Sequence, residues 1–176
     1  MPTVRVHRTY LQLPSADALR PGRAVPGATW ERHAACTPAE YRRLYREVGE
    51  QWHWLDRASW SDEQLARHLA RPEIGVWVLR ADDEPAGWVE LERHPDGATE
   101  IVYFGLRPDF VGRGLGAEML ARAVRTAFAE GATRVWLHTC SLDSPMALPN
   151  YLARGFVPYR EEDYEARLPD DAGATA

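Results

Sequence analysis

Cysteine is scarce in this 176-residue chain. Cys36 and Cys140 are too few for a disulfide scaffold and lack the spacing of a metal or redox motif. Long apolar runs are missing as well. None approaches the ~20 residues of a membrane span. Met1-Pro2-Thr3 opens no secretory h-region, so a cytoplasmic protein without a membrane partner is expected. Basic clusters are absent: 21 Lys and Arg stand against 26 Asp and Glu, a net charge of −5. That balance speaks against a nucleic-acid surface and for a cationic or amine-bearing partner. His7, His33, His53, His68 and His94 lie in separate elements without metal-ligand spacing, and no metal is expected.

What is present fits one folded domain over residues 1–169, with a small, polar tail from Asp170 to Ala176 expected to fray. The alternating stretch Val4 to Leu13 reads as a strand. A Pro/Gly/Ala-rich loop follows to Gly27, then a short strand near Thr29 to Ala34, so that residues 1–36 form an N-terminal extension. Thr37-Pro38-Ala39-Glu40 is a capping box with proline at the first helical position. Tyr41, Leu44, Tyr45 and Val48 continue it at helical spacing. Ser61-Asp62-Glu63-Gln64 caps a second helix that stops before Pro72. Three strands follow, Gly75 to Arg80, Ala86 to Arg93 and Thr99 to Leu106, separated by turns rich in Asp, Pro and Gly. A third helix begins near Leu115 and ends at Gly131, burying Leu115, Met119, Ala123, Ala127 and Phe128 and exposing Glu118, Arg122 and Arg125. A strand over Arg134 to Thr139, a short helix within Ser144 to Arg154 and a strand from Phe156 to Tyr164 complete the order. The class is α+β, a mixed sandwich.

Between the third meander strand and the third helix stands Val111-Gly112-Arg113-Gly114-Leu115-Gly116. Alternate glycines let the backbone turn tightly and approach a ligand. The helix start that follows directs unpaired N–H groups and a positive dipole end at the same point, an anion cradle suited to phosphate. A dinucleotide fingerprint is formally satisfied by Gly112-Arg113-Gly114-Leu115-Gly116-Ala117. The antiparallel context, Pro108 on the approach and the lack of an acidic residue after the next strand oppose it. A Walker A loop is excluded for want of Gly-Lys-Ser/Thr. A purely structural glycine turn stays open.

These residues resemble the GCN5-related N-acetyltransferase (GNAT) superfamily, whose coenzyme A loop reads Gln/Arg-x-x-Gly-x-Gly/Ala. Gly114 and Gly116 match its glycines, Leu106 to Phe110 resembles its strand exit, and Tyr151-x-x-x-Gly155-Phe156 matches its downstream motif. Val111 departs from the usual Gln or Arg, and Ser144 stands where asparagine is usual. The resemblance implies the GNAT fold, a mostly antiparallel sheet of six or seven strands flanked by about four helices. It also implies acetyl-CoA, held by Leu106, Val111, Gly112, Arg113, Gly114, Leu115, Gly116 and Ser144, with Arg113, Arg107 and Arg122 as sources of the charge that Val111 lacks.

Acetyl transfer to an amine needs a base for the ammonium and an acid for the departing thiolate. Glu100, in Glu100-Ile101-Val102-Tyr103-Phe104, resembles the catalytic glutamate of the histone-acetylating branch; its alternative is a solvated strand end. Tyr151 occupies the place of the family's proton-donating tyrosine, although Pro149 strains the helix that carries it; otherwise it is a core tyrosine. Trp52, Trp54 and Asp56 are candidates for an acceptor pocket. Glu90 is a candidate for binding a cationic acceptor, against the alternative of an exposed sheet face. His138 and Cys140 share a strand face but lack an orienting partner for nucleophilic catalysis. The expected function is direct N-acetylation of a small-molecule primary amine, without a covalent acyl-enzyme. A protein or peptide amine, or a CoA-binding module without catalysis, are the alternatives. Oligomeric state is not readable from the sequence, although edge strands of such a sheet leave a homodimer open.

Overall fold

A computed structural model describes residues 2–169. The expected fray of the tail falls outside them. Among the described residues no helix is long and apolar enough to cross a membrane. In chain order the elements are β1 (Thr3–Leu13), β2 (Thr29–Arg32), α1 (Pro38–Gly49), α2 (Asp62–Leu69), β3 (Ile74–Ala81), β4 (Glu84–Arg93), β5 (Thr99–Leu106), α3 (Leu115–Ala129), β6 (Val135–Cys140), α4 (Ala147–Ala153) and β7 (Val157–Arg167).

Both capping boxes form. Thr37 and Glu40 exchange side-chain and backbone hydrogen bonds at the start of α1, and Ser61 and Gln64 do so at α2. The β3–β4 hairpin closes through Asp82 and Asp83, both at positive φ. Such a two-residue turn matches the right-handed strand twist. The short α4 tolerates Pro149 because it lies in the first turn, where its missing N–H leaves no bond unmade.

The seven strands form one sheet in the order β2-β3-β4-β5-β6-β1-β7. The N-terminal strand β1 therefore lies inside the sheet, antiparallel to both β6 and β7. The edges are β2 and β7; β7 carries a proline at a register shift and a run of exposed charges, features that discourage edge-to-edge pairing. One neighbouring pair is parallel. β5 and β6 meet at Thr99–Val135 and Glu100–Trp136 and then part, leaving a fork in the sheet.

Two apolar clusters grip the sheet. On one face α1 and α2 pack Tyr41, Leu44, Tyr45, Val48 and Leu65 on Trp88 and Tyr103. On the other, α3 and Tyr151 of α4 pack on Leu11, Val89, Ile101 and Leu137. One face of α3 departs from expectation. Glu118 is buried and pairs with Arg122 at 2.6 Å, because the N-terminal extension lies over them. Arg122 also donates to the Ala28 carbonyl at 3.3 Å, and the Trp30 indole donates to Thr126 Oγ1 at 3.0 Å. Phe128 sits at the margin of the core, half-buried.

Candidate active site

The glycine loop stands at the open end of the fork. Gly112 and Gly114 adopt φ of 83° and 78°, a region costly for any residue with a Cβ. Gly114 is the N-cap of α3, and no side chain caps that helix. A Cβ at Gly112 would meet nothing within 4 Å. Free amides facing open space at a helix start suit a phosphate group. At Gly116 a Cβ would lie 3.7 Å from the Asn150 side-chain nitrogen and 3.8 Å from Leu106 Cδ1. Asn150 is a site-lining residue that the sequence pattern does not reveal; its position beside Tyr151 is the only signal.

The expected supplementary cations are mostly engaged elsewhere. Arg107 donates to the Pro85 carbonyl at 3.0 Å and lies within 4.0 Å of Glu47, Glu84 and Asp109. Arg122 is held by Glu118, one turn up the helix. Arg113 pairs with Asp82 at 2.6 Å, the two side chains 44% and 68% exposed, and such a surface pair is readily exchanged. Arg113 alone of the three stays available. Val111 is exposed. Ser144 Oγ accepts the Met146 N–H at 3.3 Å, shaping the turn into α4.

Tyr151 of α4 packs in the core on the α3 face of the sheet, beside β5. Its ring meets Phe104 of β5 edge-on, with centroids 5.9 Å apart, and lies 6.2 Å from Phe156. Burial, reinforced by the charge of Asp143, pushes its phenol pKa up, so the hydroxyl keeps its proton. Glu100 lies at the closed end of the fork, opposite Trp136. Its carboxylate meets His94 Nε2 at 2.9 Å. Burial raises its pKa despite that hydrogen bond. Burial also raises both thiols, Cys36 to about 12 and Cys140 in the same direction. Neither is an activated nucleophile.

On the α1–α2 face the expected acceptor residues divide. Trp54 is a wall of the aromatic cluster, 4.9 Å from Tyr103 and 5.6 Å from Tyr45 by ring centroids. Trp52 is half-buried in the single turn after α1. Asp56 is exposed on the segment between α1 and α2. Glu90 requires a correction. It is neither exposed nor free for an acceptor: its carboxylate is 0% exposed and holds Tyr41 Oη at 2.6 Å, Arg57 Nη1 at 2.5 Å and His68 Nε2 at 2.9 Å. Burial opposes its charge, but His68 and Arg57 outweigh it and hold the pKa below the ordinary carboxylate value.

Two groups bring three possible metal ligands within 4.8 Å, His33–Cys36–Glu40 and Glu92–His94–Glu100. Each already has protein partners: Glu40 closes the α1 cap, Glu92 pairs with Arg71, and Glu100 with His94.

A parallel pair of strands that parts, with a glycine loop and helix start at its mouth, agrees with the acetyltransferase (GNAT) family model, which matches residues 41–156. The chain belongs to this family. Within the GNAT family it is 31% identical over 80 residues to an uncharacterized N-acetyltransferase of Mycobacterium tuberculosis, covering 46% of this chain and 51% of that protein. It is 30% identical over 112 residues to the mycothiol acetyltransferase of Corynebacterium efficiens, covering 61% and 38% respectively. The chain thus spans about half the length of the first relative and less of the second. Among solved GNAT structures, one from Kribbella flavida superposes with a TM-score of 0.66 at 21% identity, over 98% of this chain and 62% of that one. An aminoglycoside acetyltransferase from an uncultured soil metagenomic sample gives 0.61 at 15% identity, over 73% and 87%. At these identities the structures establish the GNAT fold.

Proposed function

We propose that the protein is an acetyl-CoA-dependent N-acetyltransferase acting on the primary amine of a small molecule. The observation that carries this reading is Tyr151 of α4 packed against Phe104 of β5, one strand of the fork, with the glycine loop at the fork's mouth. The chain's features fit the donor: a helix start without a side-chain cap for the pyrophosphate, open space at Gly112, and Val25, Leu106 and Asn150 beside Gly114 and Gly116; Arg113, Val111 and Ser144 complete the proposed site. Bound there, acetyl-CoA supplies an activated acetyl thioester. Glu100 takes the proton that the ammonium must lose, directly or through one water, and Tyr151 gives its proton to the departing sulfur. The raised thiol pKa values of Cys36 and Cys140 support direct transfer without an acyl-enzyme.

The exposed carboxylate of Asp56, on the segment that carries Trp54, favours a cationic amine. The neighbouring fold of an aminoglycoside acetyltransferase supports a small-molecule acceptor over a protein one. The test is thermal-shift titration with acetyl-CoA, CoA and NADH, followed by thiol release with a panel of amines. Stabilisation selective for acetyl-CoA and amine-dependent thiol release are expected. The chain contains no lysine, so thiol release without added amine does not arise from lysine self-acetylation. Acetyl-CoA binding without turnover of any amine identifies a CoA-binding module instead.

A further inference from the structure

A thiolate, an imidazole and a carboxylate make a mixed donor set that suits Zn²⁺, whereas Mg²⁺ and Ca²⁺ take oxygen ligands. Such a set converges where β2 gives way to α1, with β3 and β4 between it and the fork. The His33 N–H donates to the Val76 carbonyl at 2.8 Å, and the Cys36 N–H donates back to the His33 carbonyl at 3.3 Å. That turn leads into the first turn of α1, which carries Glu40. One ligand atom each from His33, Cys36 and Glu40 lies within 4.8 Å of the other two, and all three residues are half-buried. His33 Nε2 and Glu40 Oε2 are 3.4 Å apart, about the ligand–ligand spacing of a tetrahedral zinc site with bonds of ~2.0–2.3 Å. Cys36 Sγ is the donor that must close in. It now donates to the Thr37 carbonyl at 3.7 Å, a weak bond for a thiol to give up.

The helix cap orients Glu40 without consuming it. Thr37 donates to Glu40 Oε2 through its N–H and its hydroxyl, both at 2.8 Å, and ligating carboxylates are held by hydrogen bonds of this kind. A cavity of about 180 Å³ borders His33 and Cys36, with Arg32 and Arg71 also in its wall. It leaves room for a fourth ligand. Zn²⁺ with one thiolate and one carboxylate is neutral, so the two arginines do not oppose it. We propose that His33, Cys36 and Glu40 form a zinc site whose fourth position opens on this cavity. On binding, the Cys36 sulfur bonds to the metal and its proton leaves for solvent. The ion ties the end of the edge strand β2 to the start of α1. This site is independent of the acetyltransferase reading.

The test titrates the untagged, metal-free chain with Co²⁺ and then with Zn²⁺. Co²⁺ should give the intense visible bands of a tetrahedral site and a near-ultraviolet thiolate-to-cobalt charge-transfer band. Zn²⁺ should displace it and raise the melting temperature. The charge-transfer band requires sulfur, and the chain holds two cysteines. Cys36→Ser should abolish the band, and Cys140→Ser should leave it unchanged. Cys36→Ser and His33→Gln should each weaken Zn²⁺ binding more than about tenfold, since even a contact behind a ligand is worth that much. The melting temperature of the metal-free variants separates loss of a ligand from loss of the fold. Co²⁺ held instead by Glu92, His94 and Glu100 gives no thiolate band, because those residues carry no sulfur. No binding, binding without the thiolate band, or a band that survives Cys36→Ser overturns the proposal. So does an unchanged Zn²⁺ affinity in His33→Gln.

Discussion

Tyr151 of α4 meets Phe104 of β5 edge-on, with ring centroids 5.9 Å apart. The helix after β6 thus delivers a phenol to the strand on the other side of the fork. Its ring is packed, yet no protein group bonds its hydroxyl among the described residues. Tyr151→Phe should therefore keep the fold and lower kcat by about 10²-fold, the usual size of a general-acid contribution. The acetyl-CoA Kd should not change. Initial rates and calorimetry check this, and an unchanged kcat removes the role.

Glu100 must be ionised to accept a proton, and burial raises its pKa. The acidic limb of kcat/KM should then lie above the ordinary glutamate value of ~4.3. Glu100→Gln should lower kcat about 10²-fold and abolish that limb. A limb that persists in the variant assigns it to another group.

Two glycines of the loop should respond with opposite signs. An alanine at Gly114, with φ of 78°, costs about 1–2 kcal/mol and distorts the cradle, so stability and acetyl-CoA affinity should both fall. Gly116 has ordinary helical geometry, and its new Cβ would meet only Asn150 and Leu106, at 3.7 and 3.8 Å. Gly116→Ala should raise stability by up to ~1 kcal/mol through helix propensity. Urea denaturation reads both.

Val111 is exposed and apolar at the start of the glycine loop, where the family resemblance implies Gln or Arg. Val111→Arg should tighten acetyl-CoA binding about threefold to tenfold by adding a charge-assisted contact. The melting temperature should barely move. Calorimetry decides; an unchanged Kd means that the phosphates lie away from this side chain.

Glu90 supplies a pH signature of stability. Its folded pKa is depressed by His68 and Arg57. The stabilisation is therefore complete above the unfolded carboxylate pKa and is lost as pH falls through the lower folded value. The unaltered protein should weaken steeply below about pH 4, and Glu90→Gln should flatten that limb. At neutral pH the same variant should lose ~3 kcal/mol, because Arg57 is left buried without its counter-charge. Denaturation at several pH values tests both statements.

Much of the fold is legible locally. The pairs Thr37–Glu40 and Ser61–Gln64 start their helices where the sequence places them, since a capping box needs only four residues. The three meander strands keep their order, and the glycine loop precedes α3 as the pattern requires. Tyr151, four residues before Gly155, and Glu100, in the strand before the loop, are picked out by the family resemblance, and their roles remain part of the proposal.

The errors share one cause. Alternation places Glu90 on a face of β4 but says nothing of what covers that face; Arg57, 33 residues away, does. Helical periodicity puts Glu118 and Arg122 on the solvent side of α3, yet the chain around Ala28, 94 residues from Arg122, lies over them. β1 reads as a strand from its own residues, whereas its place between β6 and β7 depends on partners more than 120 residues distant. The sequence by itself determined where elements begin and where the glycine loop turns into a helix, because backbone sterics and capping act over a few residues. The tertiary structure alone decided which charges are buried and which arginines are tied up in ion pairs, because those follow from long-range packing and the desolvation it imposes.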